Sequence, residues 1–182
     1  VQCILGDADA IADEIVVLDF CSMECPVSRR LDPEISSVAD DYKEKGVVVL
    51  GIDSHEDTEL PKINEYMEQR KLKYIALKDP MNRYADAVSA KKTPEIYIVK
   101  NGNLVYHGGV DNQKKPDSPD YTNYLRAALD DVIAGKAPAM AETQAYGCGI
   151  KRSAHAEGSA KKEGSASAGS ASKARAEEKE GS

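Results

Sequence analysis

No stretch of 18 apolar residues occurs anywhere in the 182-residue chain, so no segment reads as a membrane-spanning helix. Four cysteines are too sparse for a fold built on disulfides. No internal repeat is visible. No signal peptide is recognisable either, but the chain opens on Val1 rather than methionine. The expectation is therefore that the N-terminus is truncated, which leaves cytoplasmic and exported locations both open. Large apolar side chains are missing from residues 151–182, which are almost entirely Ala, Gly, Ser, Lys, Glu and Arg. Such a segment buries too little surface to offset the entropy of ordering it, so a disordered tail is expected there. The tail carries a charge of +2 and residues 1–150 carry −9. An acidic body with a nearly neutral tail argues against a nucleic-acid partner.

Residues 1–150 read as one α/β domain. Val1–Leu5 is a short apolar run suited to an outer strand, followed by an acidic loop at 7–13. Residues 14–20 and 47–52 are continuous apolar runs, the pattern of strands covered on both faces. Between them, Leu31, Ile35, Val38, Ala39 and Tyr42 fall at helical spacing over 26–45, and Gly46 supplies the stop. A second helix is expected after a cap at Asp57 or Thr58, with Leu60, Ile63, Tyr66 and Met67 on its inner face. A short strand follows at 74–77. Asp79-Pro80 reads as a cap with proline in the first turn of a short helix facing Met81, Tyr84, Ala85 and Val88 inward. Asn101-Gly102 marks a type I′ hairpin between 95–100 and 104–109. Ser118-Pro119 repeats the cap device before a stripe of Tyr121, Tyr124, Leu125, Ala128, Leu129 and Val132, which Gly135 and Pro138 end.

Chemistry concentrates where the first strand ends. Asp19-Phe20-Cys21-Ser22-Met23-Glu24-Cys25-Pro26-Val27-Ser28 delivers Cys25 to the start of the first helix. Backbone N–H groups and the positive helix end favour a thiolate there, and a thiolate is the species that attacks disulfides and peroxides. Arg29 and Arg30 should lower the Cys25 pKa, whereas Glu24 should raise it unless it turns to solvent. Ser28 can donate to the sulfur but cannot close a disulfide, so another thiol must reset Cys25. Cys21 is expected on the rigid strand end and Cys3 in a strand. Cys148 lies between Gly147 and Gly149 on a flexible extension, which makes it the best internal candidate to resolve Cys25.

These residues resemble the thioredoxin superfamily. Asp19 and Phe20 stand six and five positions before the cysteine, and Pro33 eight after it. Thr93-Pro94 precedes the strand Glu95-Ile96-Tyr97-Ile98-Val99, as the family's cis-proline does. The resemblance implies a thioredoxin-like fold, a central mixed sheet flanked by helices. It also implies a proton-shuttle carboxylate at Asp19 and a substrate-binding surface at Thr93, Pro94 and Pro26. Cys25-Pro26, Lys78-Asp79-Pro80, Thr93-Pro94-Glu95 and Gly147-Cys148-Gly149-Ile150-Lys151 together resemble the AhpC/TSA, or peroxiredoxin-like, redoxin group. Its PxxxTxxC motif corresponds here to Leu18, Ser22 and Cys25, and its arginine has no counterpart. The implied activity is oxidation and reduction of thiols, with a disulfide protein or a peroxide as substrate, a thiol as reductant, and no cofactor or metal. Two other classes compete. Cys21-x-x-x-Cys25-Pro26 resembles the CxxxCP motif of Sco-type copper chaperones, although the register would put the first copper cysteine at Cys25 and its partner at Arg29. A non-catalytic thioredoxin-like adaptor would explain Ser28, but not the retained Asp19 and Pro94.

Overall fold

The structure, a computed structural model, describes residues 14–153. The expected strand at 1–5, Cys3 and the tail beyond residue 153 lie outside the described residues. The chain runs β1 (Ile15–Cys21), α1 (Pro26–Tyr42), β2 (Val47–Asp53), α2 (Leu60–Arg70), β3 (Ile75–Lys78), α3 (Arg83–Ala87), β4 (Lys92–Thr93), β5 (Glu95–Lys100), β6 (Asn103–Gly108), α4 (Tyr124–Ile133) and β7 (Cys148–Gly149). Five strands form one mixed sheet in the order β3-β2-β1-β5-β6, and β4 pairs with β7 in a separate ribbon. No helix among the described residues is long and apolar enough to cross a membrane.

β1 occupies the middle of the sheet, parallel to β2 and antiparallel to β5. Its β-branched run suits this place, because both faces are covered and both edges are paired. Val17, Ile35, Val38, Ile96, Ile98, Leu125 and Leu129 are buried in the main core between sheet and helices. A second, smaller core gathers Phe20, Ile52, Ala85, Ala90 and Tyr97 at the end of the sheet where β1 delivers the chain to α1. Asn101 and Gly102 both adopt positive φ, as the tight turn between β5 and β6 requires.

Helix boundaries depart from expectation at three places. α1 ends at Tyr42, and a single 3-10 turn over Lys43–Lys45 leads to Gly46, whose φ of 77° stops the helix. α2 begins at Leu60 after Glu59, whose backbone is extended; Thr58 is buried and its hydroxyl makes no capping bond. Leu60 itself faces solvent. The last helix starts at Tyr124, where the Asn123 side chain accepts the Arg126 N–H at 2.9 Å; Ser118-Pro119 forms a turn upstream.

The Asp79 device corrects the sequence reading differently. Asp79 accepts the N–H groups of Tyr84 and Ala85 at 3.0 Å each, so it caps α3 across an intervening 3-10 turn. That turn rotates the segment, so of the four expected apolar residues Ala85 alone is buried, while Met81, Tyr84 and Val88 are exposed and the polar Asn82 is turned in. Asn123 does two things at once, since its amide also donates to Glu34 on α1 at 2.7 Å. Replacing it (Asn123→Ala) should cost about 0.5–2 kcal/mol, the range for losing an N-cap. Chemical denaturation measures this, and a loss below about 0.3 kcal/mol would contradict it.

Candidate functional site

Cys25 is the N-cap of α1, extended in backbone (φ −79°, ψ 119°) and followed by Pro26 in the first turn. A proline there costs nothing, because the first N–H groups of a helix lack intrahelical partners. The cap pins the thiol at the junction of three segments, where it is only 1% exposed. Its Sγ donates to the Thr93 carbonyl oxygen at 2.9 Å. The Thr93–Pro94 peptide bond is cis, and both residues are buried. Pro26 lies exposed at the rim.

Cys148 shares this junction. The sequence placed it on a mobile extension, whereas the structure holds it in β7, paired antiparallel with β4 so that Cys148 opposes Thr93 and Gly149 opposes Lys92. Gly147 makes the approach feasible rather than loosening it. Its φ is 132°, and a Cβ there would collide with the Thr93 carbonyl oxygen. The chain then runs along the site as a strap. Ile150 N–H donates to Lys91 O at 3.1 Å, and Lys151 O accepts the Glu56 N–H at 3.2 Å. Lys151 bridges Glu24 (2.8 Å) and Asp57 (3.2 Å), Arg152 pairs with Asp86, and Ser153 N–H donates to Asn82 at 2.8 Å. Residues 151–153, expected to begin the tail, are thus bound to the body.

Burial alone would raise the Cys25 pKa, but hydrogen bonds reverse it. The Cys148 thiol, the Thr93 side chain and the backbone N–H groups of Ser28 and Cys148 favour the thiolate and bring the value down to about 7. The Thr93 hydroxyl has no other partner, so a thiolate satisfies it. Arg29 and Arg30, expected to help, are exposed, and hydrogen bonds to the sulfur lead the lowering instead. Ser28 contributes through its N–H. Its hydroxyl oxygen, expected at the sulfur, accepts the Ser22 N–H at 3.3 Å. Glu24 does turn outward, to Lys151. The same contact that lowers Cys25 raises Cys148, because its thiol is the donor. Two adjacent thiols are thereby made unequal.

Behind Cys25, Asp19 is 1% exposed on β1, opposite Gly51 of β2 and Ile96 of β5. Burial pushes its carboxyl far above the usual range, and the negative charges of Asp32 and Cys25 add to the shift. Asp32 went unnoticed in the sequence. It sits two turns along α1 from Cys25, buried, and accepts hydrogen bonds from Tyr66 and from Tyr74 (3.3 Å) beside the Arg70 guanidinium (3.2 Å). A charged residue at an inward position of the helix stripe was the available signal. Cys21 is a different kind of thiol. Its sulfur packs against Gly51 and Tyr74, and burial, together with Asp19, keeps it protonated.

The residues 5–107 match the model of the AhpC/TSA family. The chain belongs to that family. It is similar to a hypothetical protein from Sinorhizobium meliloti 1021, with 27% identity over 81% of this chain and 84% of that one and a TM-score of 0.72. An uncharacterized conserved protein from Geobacillus kaustophilus is 25% identical over 81% and 82%, with a TM-score of 0.69. A thioredoxin-like protein solved in its oxidized form shares the fold, at 17% identity over 69% and 82% and a TM-score of 0.55. No curated protein matches. Membership of the redoxin family suggests thiol–disulfide oxidoreductase chemistry as the activity class.

The buried acid has a consequence for stability. A carboxyl whose pKa is raised on folding takes up a proton as the chain folds, so stability falls as pH climbs from about 4 toward the folded value. Asp19→Asn removes that penalty. Thermal unfolding should show the variant gaining more stability over the parent at pH 8 than at pH 4; an equal gain at both, or a loss at pH 8, would contradict the buried neutral acid.

Proposed function

We propose that this redoxin is a thiol–disulfide oxidoreductase in which Cys25 is the nucleophile and Cys148 the thiol that resolves it. The observation that carries the reading is the shared junction at Thr93, where one thiol is lowered to about 7 and its neighbour is raised. The Cys25 thiolate attacks one sulfur of a substrate disulfide, a mixed disulfide forms, and the other sulfur leaves as a thiolate. Cys148 then attacks the Cys25 sulfur, the second substrate thiolate departs, and the Cys148 proton goes to it. Net, the substrate disulfide is reduced to two thiols and the cysteine pair is oxidised. Two equivalents of an external thiol reset the pair: the first attacks one sulfur of the Cys25–Cys148 disulfide and releases the other cysteine, and the second attacks that mixed disulfide, leaving an external disulfide and two free cysteines. Asp19, buried and protonated, fits a proton donor or acceptor for the Cys25 sulfur, and Thr93, Pro94 and Pro26 line the approach.

Disulfides fit this site better than peroxides. Ser22 stands where true peroxiredoxins carry threonine, and its hydroxyl accepts the Glu24 N–H at 3.2 Å. Arg29 and Arg30 are exposed, so among the described residues neither neighbouring guanidinium is turned in to stabilise a departing hydroxide.

Mild oxidation followed by non-reducing peptide mapping should recover a Cys25–Cys148 disulfide within one chain. In Cys148→Ala, Cys25 should accumulate instead as a mixed disulfide with the added oxidant. Recovery of Cys25 as a sulfenic acid or mixed disulfide in the parent protein, with Cys148 free, would overturn the pairing.

A further inference from the structure

The strap does more than carry a thiol. β4 is a two-residue strand, and the edge it presents beside Cys25 is taken by β7, with Thr93 facing Cys148. An extended polypeptide substrate would have to add to that same edge by strand pairing, the usual way a chain docks on an open strand. The Ile150 N–H to Lys91 carbonyl bond extends the occupation by one residue. Beyond it the strap is fastened on both sides of the α1 N-terminus, by Lys151 to Glu24 and Asp57 and by Arg152 and Ser153 to the 82–90 segment. Beneath it Cys25 is 1% exposed and Thr93 fully buried, while Cys148 is half-buried.

We infer that residues 147–151 are a specificity-determining segment, a built-in occupant of the substrate edge that restricts Cys25 to low-molecular-mass disulfides. This rests on the thiol–disulfide reading above and adds its substrate class. A small disulfide needs only a path to one sulfur atom. A disulfide-bonded protein needs the strand edge, and must displace a segment tethered to the same chain. Tethering gives the strap an effective concentration on the order of millimolar. A protein substrate at micromolar concentration therefore competes at a disadvantage of about a thousandfold. The step itself balances as before: the small disulfide R–S–S–R takes two electrons, becomes two R–SH, and leaves Cys25–Cys148 oxidised. The strap also sets which sulfur a reducing partner meets, since Cys148 is the more exposed half of the pair.

Two variants lift the strap by different means. Gly147→Val places a side chain against the Thr93 carbonyl and cannot keep φ at 132° without strain. The double variant Lys151→Ala with Arg152→Ala removes surface anchors and leaves the body intact. The measurement is the rate of Cys25 thiol loss, by quenched-flow and peptide mapping, with bis(2-hydroxyethyl) disulfide and with insulin as oxidants. Taking the ratio of the two rates cancels any change in thiolate fraction. The parent should favour the small disulfide at least a hundredfold, and both variants should narrow that ratio tenfold or more, through faster reaction with insulin. An unchanged ratio in both variants, or a parent that reacts equally well with both oxidants, overturns the inference. If neither oxidant consumes Cys25 in any of the three proteins, the thiol–disulfide reading itself fails.

Discussion

Thr93 is the residue through which the site is assembled. Its carbonyl accepts the Cys25 thiol at 2.9 Å, its backbone opposes Cys148, and its hydroxyl waits without a partner until the sulfur ionises. What holds Thr93 is the Glu95 carboxylate two residues on. Glu95 accepts the N–H groups of Lys91 (2.6 Å) and Lys92 (2.7 Å), and it is gripped from the hairpin by His107 at 2.7 Å. Burial would raise the Glu95 pKa, but His107 and the two N–H donors win and keep it ionised. His107 stacks on Tyr97, whose ring meets Phe20 edge-on at the end of β1. A rigid hairpin thus fixes the loop on which both sulfurs depend.

The electrostatics follow from that geometry. In a site with little water, charge is tolerated only where donors converge. Donors converge on Cys25 and on no other thiol nearby, so Cys25 carries the negative charge. Asp19, buried with one unpartnered oxygen and beside the charges of Asp32 and Cys25, is pushed toward its neutral form. These two states support each other, because an ionised Asp19 would repel the thiolate. The deeper Asp32 is treated differently. Arg70 and two tyrosine hydroxyls work against the upward push of burial, although the push prevails.

Much of this was legible in the sequence. The apolar runs of β1 and β2, the Asn101-Gly102 turn and the spacing of Cys25, Pro33 and Pro94 are local signals that tertiary structure did not override. Helix starts were less legible. Thr58 has the chemistry of a cap, but it is buried one residue too early and its hydroxyl bonds no helix N–H; Ser118-Pro119 makes a turn of its own while Asn123 wins the cap by also bonding α1. The inward places assigned to Met81, Tyr84 and Val88 failed because a 3-10 turn changed the phase of the segment. Cys148 was identified as the candidate partner, but its flanking glycines suggested mobility when one of them serves close packing. Asp32 could be suspected only from its charged side chain on the inward stripe of α1, and the strap anchors could not be read, since they depend on contacts between residues far apart in the chain.

One hydrogen-bonded junction makes two neighbouring thiols unequal. An NMR pH titration of the cysteine 13Cβ resonances in the reduced protein tests it most directly. The account predicts that Cys25 ionises near pH 7, and that Cys148 stays protonated to values above an ordinary thiol's ~8.5. Coincident titration of the two near that ordinary value would contradict it.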